Sequence, residues 1–242
     1  MLLGVAATSA FADVAAVSGS AVALEGGLTA PVAITISPIS AVSLPPGGQA
    51  PPGTSASVLS IALPPGAGSE IRSGTLTGHT QGLPDPNGQV TSDASVESLE
   101  LGPAAAPVIS ASVLRSSCTA DASGATGSAN IVGLTVGGNT IIPNGTPNQV
   151  IPLGPLGSIT IDEQTPSDGG HSITVNALHI RLSSPLATGD VIVSQSVCSA
   201  LPSNEVPVGA IGGLVLAGLV GAGLVATVIV HGRRRARLVP SV

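Results

Sequence analysis

The sequence predicts an all-β domain, built as a sandwich or barrel of short strands, followed by one C-terminal transmembrane α-helix. Three observations lead to this fold class. Short β-branched runs alternate with Gly, Pro, Asn and Asp through most of the 242 residues. No helical periodicity is sustained between Asp13 and Asn204. The run of 25 residues from Val206 to Val230 then contains no charged side chain.

The composition indicates a folded chain with an unusual core. Hydrophobic residues make up 43% of the sequence, but Trp and Tyr are absent and Phe11 is the single Phe. A core must therefore be built from Val, Ile, Leu and Ala. Charged residues amount to 8%, whereas a disordered chain is normally rich in charge and poor in β-branched residues. The composition thus favours a globular body.

The first residues have the pattern of an export signal. Residues 1–12, "MLLGVAATSAFA", are apolar and small, and Ala10, Phe11 and Ala12 form the small-x-small pattern of a signal peptidase site. We interpret 1–12 as a signal peptide with a truncated n-region, cleaved after Ala12. An ordinary apolar N-terminal strand is the alternative.

The body, residues 13–205, contains nine candidate strands separated by turn residues. Their spacing of about 10–15 residues is typical of a sandwich or barrel. The Asn-Gly pairs in "DPNG" (85–88) and "PNGTPN" (143–148) predict tight hairpins. The Pro-rich run 43–55 is interpreted as a loop. The candidate strands are 30–37, 57–63, 73–80, 89–101, 107–118, 128–136, 156–164, 171–182 and 189–198.

The uncharged run 206–230 is long enough to cross a bilayer, because a helix rises about 1.5 Å per residue and the hydrocarbon core is about 30 Å thick. A basic tail, 231–242, follows it. By the positive-inside rule the tail is cytoplasmic and 13–205 is extracellular. A buried helix of a soluble protein is the alternative. The basic flank consists of Arg233, Arg234, Arg235 and Arg237.

The charge distribution excludes nucleic acid as a predicted partner. All thirteen acidic residues lie between Asp13 and Glu205, where only three arginines and no lysine occur. A nucleic-acid binder spreads basic residues over its folded body and adds aromatic rings for stacking. The predicted partner of the basic tail is instead the lipid bilayer.

Small residues recur within the predicted transmembrane helix. Gly209, Gly213, Ala217 and Gly221 stand at every fourth position, and small-xxx-small faces let helix backbones approach closely. This face is a candidate for weak homodimerisation. The alternative is that a Gly- and Ala-rich composition places small residues everywhere.

The junction before the helix, Leu201 to Glu205, has the layout of a sortase sorting signal. The usual pentapeptide is Leu-Pro-x-Thr-Gly, but Asn204 and Glu205 replace the two residues that flank the scissile bond. We therefore expect the helix to remain in the membrane. Attachment to the cell wall is the alternative anchor.

The two cysteines, Cys118 and Cys198, both end apolar strand-like runs. In an exported chain a pair of cysteines is usually a disulfide, which is the prediction. The alternative, a metal-binding pair, would need His or further Cys residues nearby.

Five short motifs follow one another through the body: "SLPPGG" (43–48), "SSCTA" (116–120), "SITIDEQ" (158–164), "ITVNALHI" (173–180) and "GDVIVSQSVC" (189–198). In this order they resemble the choice-of-anchor P family of exported actinobacterial surface proteins. The resemblance covers most of the body. It implies a surface location, one β-rich domain, a Cys pair matching Cys118 and Cys198, and an anchor that varies among members. It implies no molecular activity.

The histidines of the body, His79, His171 and His179, lack the spacing of a metal-ligand motif. His179 lies in a strand-like run and is expected to be a hydrogen-bonded structural residue rather than a base. No Gly-x-Ser-x-Gly elbow occurs. The sequence therefore predicts no catalytic residue.

The carboxylates of Asp162, Glu163 and Asp168 could bracket a calcium ion, and Asp85 with Asn87 matches part of a calcium loop. The further ligands of an EF-hand are missing. We interpret these residues as loop carboxylates that keep the surface soluble, and predict no metal and no cofactor.

These observations predict an exported, single-pass membrane protein with a non-enzymatic structural or recognition domain outside the cell. Its partner would be a cell-envelope polymer or another surface protein. The alternative is a surface hydrolase acting on envelope or extracellular glycan. Glycan sites usually offer aromatic platforms, which residues 13–205 lack. Two carboxylates about 5–10 Å apart in a cleft would support the hydrolase.

Overall fold

A computed structural model describes most of the body. These residues belong to one compact unit that ends at Glu205. Among them, no helix is long and apolar enough to cross a lipid bilayer. The predicted signal peptide, transmembrane helix and basic tail lie outside the described residues. Described are residues 14–29, 34–44, 54–58, 61–62, 70–82, 88–102, 108–184 and 187–202.

The prediction of an all-β body is confirmed. Two short 3-10 turns, Gly154–Leu156 and Asp168–Gly170, interrupt the strands. The strands are β1 Val14–Thr29, β2 Ile34–Ile39, β3 Val42–Ser43, β4 Thr54–Val58, β5 Ile61–Ala62, β6 Glu70–Ser73, β7 Leu76–Gly82, β8 Val90–Gly102, β9 Ile109–Asp121, β10 Gly124–Val132, β11 Thr135–Val136, β12 Asn139–Thr140, β13 Gln149–Pro152, β14 Gly157–Ser167, β15 Ser172–Ser184 and β16 Ala187–Pro202.

The strands form two antiparallel sheets. In sheet A the order is β13-β14-β15-β16-β1-β2, and β3 also pairs with β1. In sheet B the order is β12-β11-β9-β8-β6-β5, with β10 on β9, β7 on β8 and β4 on β7. Residues of both sheets share the same buried core, so the sheets pack face to face. Of the two predicted architectures, this is the sandwich.

The central strands are longer than expected. β1 and β16 each have 16 residues and pair from Val14↔Pro202 to Thr29↔Thr188. The prediction of short strands is therefore wrong for this part of the sheet. β1 was absent from the candidate strands because "VAAVSGSAVALEGGLT" is rich in Ala, Gly and Ser, which have little intrinsic β propensity. Its pairing with β16 and β2 overrides that local preference.

The core is aliphatic, as the composition requires, and it is divided into two clusters. The larger one includes Leu24, Leu114 and Leu178. The smaller one includes Val17 and Val175. Buried hydroxyl groups lie along the same strands between them, and we call these residues the serine seam: Thr80, Ser92, Ser116, Ser194 and Ser196.

At the seam, the positions of β16 that face the core shift by one residue. In β16 the buried positions run through Val191 and Val193 and then continue from Ser194 to Ser196. Ser194 has φ 57°, and this left-handed conformation shifts the inward alternation by one residue. Its Oγ therefore points into the interior, where it accepts from the Ser116 N–H and donates to the Ala94 carbonyl, both at 2.8 Å. The seam thus joins the two sheets by hydrogen bonds.

The predicted disulfide is confirmed. Cys118 of β9 is bonded to Cys198 of β16, with a Cα–Cα distance of 5.9 Å. Both residues are buried in the smaller core cluster. The bond joins sheet B to sheet A, and it removes the metal-pair alternative because neither thiol is free.

Only one of the two predicted hairpins is consistent with the pairing. β7 and β8 pair in antiparallel fashion around "DPNG", although residues 83–87 lie outside the described part. At 143–148 the prediction is wrong, because β12 pairs with β11 in sheet B and β13 pairs with β14 in sheet A. There Asn144 Oδ1 accepts from the N–H and the hydroxyl of Thr146. This Asx-turn satisfies the backbone without strand pairing.

Candidate functional site

Four neighbouring strands of sheet A bring polar side chains together on the solvent-facing side. The register places His179 opposite Ile192, and Ile192 opposite Glu25. Two residues along, Arg181 lies opposite Asp190. Because side chains alternate along a strand, these two rows share a face, whereas the row between them, including Ile180, is in the core.

Five polar residues of these strands form one hydrogen-bonded network, which we call the charge cluster: Glu163, Asn176, His179, Arg181 and Asp190. His179 lies between two carboxylates, with Nδ1 2.6 Å from Glu163 Oε2 and Nε2 3.0 Å from Asp190 Oδ1. Arg181 Nη2 donates to Glu163 Oε1 at 2.7 Å. Asn176 Nδ2 donates to Glu163 Oε2 at 2.8 Å. β14, β15 and β16 each contribute at least one member.

The cluster holds Glu163 in its ionised form. Its side chain is only 13% exposed, and this desolvation by itself would raise the carboxyl pKa. The hydrogen bonds from Asn176 and His179, together with the charges of His179 and Arg181, outweigh it and hold the pKa of Glu163 below its ordinary value of 4.5. Both oxygens are engaged, so Glu163 is a fixed anionic centre and not an available base.

The three histidines of the body do not converge. His79 lies on sheet B, with Nδ1 3.4 Å from Asp93 Oδ2. His171 follows the second 3-10 turn, where its N–H donates to the Asp168 carbonyl. His179 is 8% exposed and hydrogen-bonded on both ring nitrogens, as expected of a structural residue.

The carboxylates suspected of calcium binding point to different partners. Asp162 accepts from Gln164, and Asp168 accepts from Ser172. The solubility interpretation is wrong for Glu163, which lies within β14 and is nearly buried in the charge cluster. Asp85 and Asn87 lie outside the described residues. In the described part of the chain, no group of three or more His, Cys, Asp or Glu residues could hold a metal ion.

An open pocket of about 360 Å³ adjoins the charge cluster. We call it the Glu25 pocket. Three glycines line it where β1 and β16 approach closely; a Cβ on Gly189 would lie 2.0 Å from the Gly27 carbonyl oxygen. No side chain fits there, so the backbone itself is exposed to the pocket. The lining residues are Glu25, Gly26, Gly27, Ile36, Gly189, Asp190 and Ile192.

The two carboxylates of the pocket have different surroundings. Burial alone raises the pKa of Glu25 above its ordinary value of 4.5. In the described structure Glu25 has neither a hydrogen bond nor an ion pair. Asp190 is 58% exposed and uses Oδ1 for His179 and, at 3.7 Å, for Arg181 Nε. The register makes Glu25 and Asp190 diagonal neighbours, a spacing of about 7–8 Å.

Sequence reasoning found some of these residues and missed others. It singled out Glu163 and His179 but gave neither the partnership between them nor any role to Glu25, Arg181 or Asp190. The predicted cysteine pair forms the disulfide of the structure. The arginine flank and the small-residue face of 209–221 lie outside the described residues.

Comparison with known proteins gives no further assignment. No family model matches the chain, and neither a curated protein nor a solved structure does. The interpretation of the site therefore depends on its own geometry.

Proposed function

We propose that the chain is an exported, single-pass membrane protein that displays residues 13–205 outside the cell as a non-enzymatic structural or recognition domain. The observation that carries the proposal is the buried disulfide between Cys118 and Cys198, because such bonds persist in oxidising compartments and are rare in the cytosol. The uncharged run 206–230 and the arginines after it support a membrane anchor with its tail inside.

The resemblance to the choice-of-anchor P family supports the same location. Two of its motifs, 158–164 and 173–180, supply Glu163, Asn176 and His179 to the charge cluster. We therefore propose membership of that family, with a membrane helix as the anchor and no processing at Leu201–Glu205.

A recognition role suits the outer face of sheet A. The members of the charge cluster satisfy one another and lie on paired strands, so their charges are held in fixed positions. A rigid polar surface binds a partner without the entropy cost of ordering long side chains. The proposed partner is a cell-envelope polymer or another surface protein.

The hydrolase is the second candidate, because one observation favours it. Glu25 and Asp190 are diagonal neighbours on β1 and β16, with residue positions about 7–8 Å apart, and a carboxyl with a raised pKa beside a second carboxylate resembles the arrangement of glycosidases. It ranks second because the pocket lining contains no aromatic ring. Release of reducing sugar from envelope glycan by the wild type, lost in Glu25→Gln but not in Glu97→Gln, would establish it. Glu97 is an exposed carboxylate of sheet B.

Location is tested with the full chain carrying an epitope tag after Val242, expressed in an actinobacterial host. Protease added to intact cells should remove the domain and leave the tag protected. Detergent should release the full-length protein from membranes without muramidase. Release by muramidase alone would establish wall attachment, and tagged protein in the soluble cytosol would overturn the proposal.

A matched pair of variants tests the anchor. Leu219→Asp combined with Val220→Asp places two charges in the middle of 206–230, where each costs about 2.5–3.5 kcal/mol on insertion scales. The pair should move the protein from the membrane to the medium. Leu219→Ile combined with Val220→Ile keeps the apolar character and should remain in the membrane.

A further inference from the structure

We propose that the Glu25 pocket binds an aliphatic primary ammonium group, with the charge between Glu25 and Asp190 and the carbon stem against Ile192. This inference rests on the proposed recognition role and names its ligand class. The ligand chemistry could come from a lysine side chain of another surface protein or from a free polyamine.

Among the described residues, no cationic side chain pairs with the Glu25 carboxylate of the pocket. Each arginine of the described body lies beside a carboxylate other than Glu25, and the chain has no lysine. The pairs are Arg72 with Glu100 at 4.0 Å, Arg115 with Asp93 at 3.1 Å and Arg181 with Glu163 at 2.7 Å. The half-buried carboxylate of Glu25 therefore has no counterion in the described part of the chain, and a cationic ligand can supply one.

Asp190 can supply a second acceptor. Its contacts with His179 and Arg181 both fall on Oδ1, which leaves the lone pairs of Oδ2 for another donor. An ammonium group carries three N–H donors. At a spacing of about 7–8 Å between the two residues, one nitrogen between them can donate to both carboxylates.

The walls favour a ligand with a carbon stem. Ile192 lies opposite Glu25 on β16, two residues from Asp190 on the same face, and its side chain lines the pocket. The glycine surface of β1 and β16 lets a slender chain approach the backbone. A guanidinium group is broader and planar, and an anion would be repelled by both carboxylates.

The probes are pentylammonium, methylammonium and the uncharged 1-pentanol, titrated calorimetrically into the full chain in phosphocholine nanodiscs, with empty nanodiscs as the blank. We expect pentylammonium to bind at least tenfold more tightly than 1-pentanol and more tightly than methylammonium. Affinity should fall as the pH is lowered from 7 to 4, because protonation of Glu25 removes the charge. Equal binding of 1-pentanol would overturn the proposal.

Variants distinguish binding at the Glu25 pocket from attraction of the amine to the net negative charge of the domain. Glu25→Gln should lower the affinity for pentylammonium at least tenfold, whereas Glu97→Gln on sheet B should leave this affinity unchanged. Ile192→Ala should reduce the difference in affinity between pentylammonium and methylammonium, because it removes the apolar contact for the carbon stem. Unchanged binding in Glu25→Gln, or equal loss in both glutamine variants, would overturn the inference, and thermal melts verify that each variant is folded.

Two further ligands distinguish the sources. Tighter binding of Nα-acetyl-lysine methylamide identifies a protein side chain, and tighter binding of cadaverine identifies a free polyamine. Failure of every amine overturns the inference but leaves the location experiments untouched, so the two proposals fail independently.

Discussion

Removal of the disulfide between Cys118 and Cys198 should destabilise the domain strongly. The bond closes a loop with a sequence separation of 80 residues. The loop-closure entropy that the cross-link removes from the unfolded chain corresponds to about 4.5 kcal/mol at 25 °C. Domains of this size are stable by about 5–15 kcal/mol, so the bond accounts for a large part of the total.

The measurement is equilibrium urea unfolding of residues 13–205, oxidised and reduced. Reduced wild type is the best comparison, because it keeps both sulfur atoms in the core and loses only the cross-link. At about 2–4 °C per kcal/mol for this length, the melting temperature should fall by about 9–18 °C. The oxidised protein should also show the smaller urea slope, because a cross-linked unfolded chain exposes less surface.

A Cys118→Ala, Cys198→Ala variant should lose at least as much stability as the reduced protein, since it also leaves small cavities in the smaller core cluster. A reduced protein within about 1 kcal/mol of the oxidised one would refute the loop-entropy argument. The two sheets would then be held together by the core and the serine seam alone.

The remaining predictions concern single side chains. Ser194→Ala should lower the free energy of unfolding by on the order of 1–3 kcal/mol, because it removes the partner of the buried Ser116 N–H and Ala94 carbonyl. The control Ser112→Ala, at an exposed position, should leave stability unchanged. Equal urea midpoints for the two variants would contradict the stabilising role of the serine seam. Glu163→Gln and Glu25→Gln should act in opposite directions at pH 7. The lowered pKa of Glu163 stabilises the fold above pH 4.5, and this effect is lost as the pH falls through the pKa of the folded state. Its replacement should therefore cost on the order of 1–3 kcal/mol at pH 7 and less at pH 3. The raised pKa of Glu25 gives stability below pH 4.5 that is lost as the pH rises; its replacement should therefore stabilise at pH 7. Urea titrations at both pH values measure the two signs, and the same sign for both variants would contradict the electrostatic assignment.

The strands that the sequence predicted well are those with β-branched alternation. The expected strand 89–101 is observed as Val90–Gly102, and 171–182 as Ser172–Ser184. β1 was missed because its Ala, Gly and Ser residues carry no such pattern. A strand of this composition is specified by its neighbours, and those contacts are non-local.

The position of the cysteines predicted their bond, but not what the bond connects. That Cys118 and Cys198 lie on different sheets depends on strand order. The left-handed backbone at Ser194 is equally invisible in the sequence, because a non-glycine residue adopts it only where the surrounding packing requires it. The division of the core follows from that conformation.

The charge cluster could not be assembled from the sequence for the same reason. Glu163, His179 and Asp190 come from three strands, and a register shift of one residue would place one of them in the core. The Glu25 pocket needs both that register and the close approach of two glycine-lined strands. Local sequence patterns identified Glu163 and His179, whereas the pairing of the strands determined which residues lie beside them.

The cross-link lies near the end of β16, and this has a mechanical consequence. A pulling force applied after Pro202 would first peel this strand away from β1, its partner along the ladder. Cys198 lies only four positions before Pro202, so tension would pass early through a covalent bond into β9 and the opposite layer. The load would be shared by both halves of the sandwich before most of the β1–β16 ladder could unzip.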